Sequence, residues 1–129
     1  MNLSISAIPT KITIKLNGTL KDFLDFIQGI YILGPKLVNG KAYWIQEEGS
    51  FALWYSKYNG IGNWNIGYLE DVGSDEVGLY CLDESNVPFE IVTWFYLDDN
   101  GWEKTTDISI LPVKGAVYNF NTIYFLFLM

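Results

Sequence analysis

Apolar and polar residues alternate from Lys11 to Leu16, with Ile12, Ile14 and Leu16 on one side and Lys11, Thr13 and Lys15 on the other, which predicts a half-buried strand. Asn17-Gly18 ends it. The spacing then changes: Leu20, Phe23, Leu24 and Ile27 recur at helical intervals, predicting a short helix over residues 20–28 with Thr19 as N-cap and Gly29 as stop. From there on the pattern is one of short apolar runs at 30–33, 41–46, 51–57, 63–68, 77–82, 91–97 and 107–111. Turn signals fall between most of them, at Asn39-Gly40, Glu48-Gly49-Ser50, Asn59-Gly60 and Asn100-Gly101. Regular short strands of this kind predict a mostly β chain, a single-domain antiparallel meander or a small barrel or sandwich. The length of 129 residues fits one domain over 1–129, because halving it would leave two cores too small to stand without staples.

Turn length sets which residues share a face of a hairpin. A two-residue turn at Asn59-Gly60 places Tyr55 opposite Trp64, Leu53 opposite Ile66 and Phe51 opposite Tyr68. A three-residue loop over Glu47-Glu48-Gly49, with Gly49 in the left-handed region, would set Ile45 against Phe51 and Tyr43 against Leu53. One face then becomes Tyr43, Ile45, Phe51, Leu53, Tyr55, Trp64, Ile66 and Tyr68, apolar throughout and therefore core. The other carries Trp44 and Trp54 among Ala42, Gln46, Ala52, Ser56, Asn65 and Gly67. Another element crossing over those rings would bury them. Left open, they form an aromatic platform for a sugar ring or a protein anchor, with Gln46, Ser56 and Asn65 as polar neighbours. Trp102, just past a turn, is a further ring expected at the surface.

Composition narrows the chemistry. Five tryptophans, nine tyrosines and eight phenylalanines accompany no histidine and no arginine, so the usual neutral-pH base, the commonest metal ligand and the bidentate anion fork are all missing. The net charge of −7 opposes nucleic acid and anionic membrane, whose affinity comes from clustered cations. Cys81 is a lone cysteine, so no internal disulfide frames the fold and a buried thiol is expected. The N-terminal residues lack the basic start and sustained apolar run of a secretory signal. Asn2-Leu3-Ser4 and Asn17-Gly18-Thr19 match the glycosylation sequon, a short pattern that also arises by chance.

Six carboxylates, Glu70, Asp71, Asp75, Glu76, Asp83 and Glu84, cluster around Gly73-Ser74. Their order departs from the EF-hand loop, so a solvated acidic loop is expected in place of a calcium site, and no metal or cofactor is assigned. Asp98-Asp99-Asn100-Gly101 reads as a hairpin turn. A glycosidase needs only two carboxylates at the right separation, a remote alternative for a short domain without a cleft-forming insertion. No nucleophile elbow, P-loop or zinc spacing occurs. Residues 113–129 end in AVYNFNTIYFLFLM, too short for an independent membrane span. A terminal strand closing the sheet is expected, or else a docking segment, and residues 123–129 left uncovered would be prone to aggregate.

The hairpin Val38-Asn39-Gly40-Lys41-Ala42-Tyr43-Trp44, followed by Trp54-Tyr55, Trp64-Asn65, Trp94-Phe95 and Gly101-Trp102, resembles a small β module of large multidomain eukaryotic proteins. The resemblance covers about residues 29–111 and implies a binding or scaffolding role. It transfers no catalytic residue. The sequence thus points to a non-catalytic binding module engaging a protein partner through an exposed aromatic face, with a carbohydrate-binding module stacking sugars on Trp44 and Trp54 as the alternative.

Overall fold

In the computed structural model, residues 8–75, 78–81, 87–91, 93–113 and 117–118 are described, and within them the chain is mostly β. The first strands are β1 (Ile8–Pro9) and β2 (Lys11–Leu16), followed by α1 (Gly18–Leu24), a 3-10 turn at Asp25–Ile27 and β3 (Gly29–Leu33). The central meander is β4 (Trp44–Gln46), β5 (Phe51–Tyr58) and β6 (Ile61–Tyr68). After 3-10 turns at Leu69–Asp71 and Pro88–Glu90 and the intervening β7 (Leu79–Cys81) come β8 (Trp94–Asp98), β9 (Gly101–Thr105), β10 (Ile108–Pro112) and β11 (Val117–Tyr118).

Among the described residues, nine strands make one antiparallel sheet in the order β10-β2-β3-β4-β5-β6-β7-β8-β9. Its two end strands are consecutive in sequence, parted only by Thr106 and Asp107. Since β9 runs antiparallel to β8 and β10 antiparallel to β2, the alternation of directions around the sheet makes both run the same way. They are two halves of one bent strand, bordering β8 with the first half and β2 with the second. The sheet must therefore curl, and it forms a half-barrel. Asn17 N–H donates to Asp107 O at 2.8 Å beside the bend, which anchors the start of α1 there.

The interior follows from the strand alternation. Ile12, Ile14 and Leu16 of β2, Tyr31 of β3, Leu53 and Tyr55 of β5, Trp64 and Ile66 of β6, and Trp94 of β8 all belong to one buried cluster. Cys81 lies in it as well. Removing a ring of tryptophan size from water contributes about 4–6 kcal/mol as an upper figure, so the buried Trp44, Trp64 and Trp94 are major stabilising residues.

The β5–β6 hairpin has the expected register, with Tyr55 opposite Trp64 and Phe51 opposite Tyr68. Asn59 and Gly60 both have positive φ, 51° and 79°, as a two-residue turn matched to strand twist requires. Asn39 and Gly40 repeat the arrangement at 52° and 82°, and Val38 bridges Lys41. That small turn is why the run expected at 41–46 is a strand only over Trp44–Gln46. Asp98-Asp99-Asn100-Gly101 is the expected hairpin turn, with Asn100 N–H donating to Asp98 Oδ1 at 2.7 Å. Its second strand, β9, was not foreseen, because Gly-Trp-Glu-Lys-Thr buries only Thr105 and presents no apolar alternation.

Three expectations are corrected. The helix begins at Gly18 and its N-cap is Asn17, with no side-chain cap, in place of Thr19. The backbone bond from Asn17 to Asp107 does the anchoring, and the last turn tightens to 3-10. In the β4–β5 connection, Trp44 pairs with Leu53 and Ile45 with Ala52, one residue away from the expected register. The loop has four residues, 47–50, and Gly49 is absent from the positive-φ positions; Gln46 Oε1 accepts Phe51 N–H at 3.3 Å across it. A one-residue slip reverses every side chain of a strand, so Trp44 and Gln46 face inward, and Tyr43 packs on the outer face with Ala52 and Trp54. Finally, Val117–Tyr118 pair with Ile8–Pro9 and do not extend the main sheet. The remainder of the tail expected as a strand, residues 119–129, lies outside the described residues.

Candidate functional site

Five of the six residues expected at a binding face are buried. Trp44 is 1% exposed inside the half-barrel, its Nε1 donating to Pro9 O at 3.0 Å and its ring meeting Phe89 edge-on at 5.6 Å. Trp54 is on the opposite face yet 0% exposed. It packs with Val38, Tyr43 and Val72, and its Nε1 donates to Ser74 O at 3.0 Å. Asn39 Nδ2 ties the covering loop down through Tyr55 O at 2.8 Å and Gly73 O at 3.3 Å. Ser56 and Asn65 form a buried polar group with Asn63: Asn65 Nδ2 donates to Ser56 Oγ at 2.6 Å, and Ser56 Oγ to Asn63 Oδ1 at 3.0 Å. These groups satisfy one another, as buried polar atoms must. The Trp44/Trp54 platform is thus overturned: the register shift separates the rings onto two faces, and a loop covers the outer one.

Gln46 has a different role from the one expected. Buried at the mouth of the half-barrel, its Nε2 donates to Phe26 O at 3.0 Å and to Gln28 O at 3.1 Å. Gln28 adds a second staple, its Oε1 accepting Leu16 N–H and its Nε2 donating to Asp25 Oδ1, both at 2.8 Å. The two amides clamp the 3-10 turn at 25–27 against the sheet. This clamp sets the rings of α1 and its 3-10 turn above the ends of β5, β6 and β8.

There the structure has a concave apolar site. A cavity of about 350 Å³ is lined by Phe23, Phe26, Phe51, Tyr68 and Leu97, with Asp71 as the one carboxylate among its described lining residues. Phe26 meets Phe51 at 5.3 Å between ring centroids, and Phe51 stacks on Tyr68 at 4.9 Å. Phe23 reaches Tyr96 of β8 at 6.1 Å. Four of the lining residues, Phe23, Phe26, Tyr68 and Leu97, are about half exposed, at 49–56%. Large apolar side chains left open together in a concavity mark a binding surface, whereas scattered ones do not. Helical spacing had indicated Phe23 as part of a short helix, and the hairpin had indicated Tyr68 as core; no sequence signal places them around one opening.

Trp102 is 45% exposed, as expected. It meets Tyr80 edge-on at 4.9 Å, and Tyr80 stacks on Phe95 at 5.2 Å, making a small aromatic cluster on the outer face of β7–β9. No group of three or more Cys, Asp or Glu suited to a metal ion occurs among the described residues; Glu76, Asp83 and Glu84 of the acidic window lie outside them. No helix among the described residues is long and apolar enough to cross a membrane. Burial raises Tyr31 well above the usual phenol range, and raises Tyr43 in the same direction. Neither lines the cavity. No family model matches the chain, and comparisons with curated proteins and with solved structures return no match either.

Proposed function

We propose that the protein is a non-catalytic binding module that engages a protein partner by taking an apolar side chain into the cavity beneath α1. The observation that carries this reading is the concave cluster of Phe23, Phe26, Phe51, Tyr68 and Leu97 around that cavity. Its volume matches the lower end of small-ligand sites and accommodates an aromatic or branched aliphatic anchor of the kind that dominates interface energetics. Among the described residues Asp71 is the only acid lining the cavity, whereas a carboxylate-pair hydrolase needs two, so the described lining lends that chemistry no support.

Nitrogen-15 correlation spectra of the folded chain, titrated with N-acetyl-phenylalanine amide and N-acetyl-leucine amide, test the reading. Shifts confined to residues 23–27, 66–71 and 97 that vanish in Phe26→Ser are expected. Shifts absent there, or centred on Trp102, would overturn it. A glycan-binding module remains the second reading, now resting on Trp102 in place of Trp44 and Trp54. Tyr80 and Phe95 stack on each other, so their faces do not form the paired coplanar platform that a sugar chain uses, and the apolar cavity has the stronger claim. Selective glycan-array binding lost in Trp102→Ala would reverse that ranking.

A further inference from the structure

The strand directions give the half-barrel two ends of opposite charge. At the end holding the cavity lie the α1 segment, the β4–β5 loop and the turn after β6. These carry Asp22, Asp25, Glu47, Glu48, Glu70 and Asp71, and against them a single lysine, Lys21. The β8–β9 turn at the same end adds Asp98 and Asp99. Four of the eight lysines lie at the other end: Lys11 opens β2, Lys36 and Lys41 lie between β3 and β4, and Lys57 stands near the close of β5, while Lys15, next to last in β2, joins Lys21 at the cavity end, where the carboxylates still far outnumber them. An apolar opening flanked by carboxylates at one pole is electrostatically selective as well as concave. Fields of one sign around a low-dielectric cleft raise the local concentration of the opposite charge and disfavour like-charged partners.

We infer that the partner segment is cationic: an aromatic or branched aliphatic anchor residue flanked on both sides by lysine or arginine, the anchor entering the cavity and the flanks lying over the carboxylates of α1, the β4–β5 loop and the Leu69–Asp71 turn. This inference rests on the binding reading proposed above and specifies its ligand. A second copy of this chain is disfavoured as an occupant that brings the same pole, since acidic rim would face acidic rim. Aromatic anchor and basic flanks serve separate purposes. The anchor supplies buried area and slow dissociation, while the flanks supply the rate of encounter and its dependence on salt.

Selection from a random dodecapeptide display library on the full chain, counter-selected on Phe26→Ser and on Tyr68→Ser, decides the matter. Both substituted rings are more than half exposed, so at least one variant is expected to fold normally. The expected winners carry one large apolar residue with lysine or arginine on both sides. Their affinity should fall roughly tenfold between about 0.01 M and about 0.15 M salt, as the Debye length shrinks from about 30 Å to about 8 Å. The pair Glu48→Lys and Glu70→Lys should weaken the same peptides to a similar degree at low salt. Winners with neutral or acidic flanks, salt-insensitive binding, or affinity unchanged by the charge reversal would each overturn the cationic assignment while leaving the cavity reading intact. Winners that bind both ring variants as well as the parent would overturn the cavity reading itself.

Discussion

Trp44 and Trp94 are both buried indoles of one interior, yet they differ in a single bond. Trp44 Nε1 donates to Pro9 O, whereas Trp94 Nε1 has no partner among the described residues. Replacing either by phenylalanine removes similar apolar volume, but only Trp44→Phe also orphans a buried carbonyl. We therefore expect Trp44→Phe to cost about 1–2 kcal/mol more than Trp94→Phe, measured as the difference in urea unfolding free energies. Tyr31 makes a second residue-level prediction. Its hydroxyl donates to Ile27 O at 2.6 Å, and burial holds it protonated well above its ordinary range. Unfolded, a tyrosine ionises near pH 10. The stability associated with neutral Tyr31 is thus complete below about pH 10. Above it the unfolded chain releases a proton that the folded chain retains, so stability falls by up to about 1.4 kcal/mol per pH unit. Tyr31→Phe should flatten this alkaline limb, leaving the smaller part due to Tyr43, and should lower stability at neutral pH by about 1 kcal/mol through the orphaned Ile27 carbonyl. Urea midpoints compared across the alkaline range check both statements.

At the scale of elements, the β4–β5 connection shows how a loop one residue longer than expected changes the molecule. Gln46 replaces a left-handed glycine as the device that closes it, bonding Phe51 on one side and the 3-10 turn on the other. A Cβ built on Gly49 would overlap the Gln46 amide. Gly49→Ala should therefore displace Gln46 and destabilise by about 1–3 kcal/mol, with the largest amide-proton exchange gains at residues 25–28 and 46–51. Gly60→Ala makes an informative contrast: open space surrounds it but φ is +79°, so the expected loss of about 1 kcal/mol comes from backbone strain alone and stays local to the β5–β6 turn. The β5–β6 hairpin was legible because Asn-Gly admits one common turn geometry, and that geometry dictates the pairing. Glu47-Glu48-Gly49-Ser50 has no such unique solution. Its length is settled by a glutamine that bonds to a helix segment distant in sequence, and periodicity carries no information about that partner.

Across the whole molecule, Phe26→Ser should leave unfolding free energy within about 0.5 kcal/mol of the parent, since its ring is more than half exposed, while abolishing the response to capped phenylalanine amide. A stability loss comparable to that of a core residue would mean the ring serves the fold and not a ligand. The alternation in β2, the glycine-punctuated strands, the paired turns and the aromatic excess were enough to establish a mostly β chain and the register of its best hairpin, because these are local properties of backbone geometry and side-chain volume. The exposure of Trp102 followed in the same way from its place beside a turn. The aromatic count also implied that some rings would remain outside the core. Which rings those are was decided only in three dimensions. Burial of Trp54 depends on a loop latched by Asn39 and Ser74, burial of Trp44 on the four-residue connection before β5, and the cavity on two glutamines that hold Phe23 and Phe26 over the ends of strands far along the chain. The bent strand from Gly101 to Pro112 likewise borders β8 with its first half and β2 with its second, linking elements from opposite ends of the meander. Contacts between residues so distant in sequence are set by the competition for a single interior, and no local pattern of apolar and polar residues records its outcome.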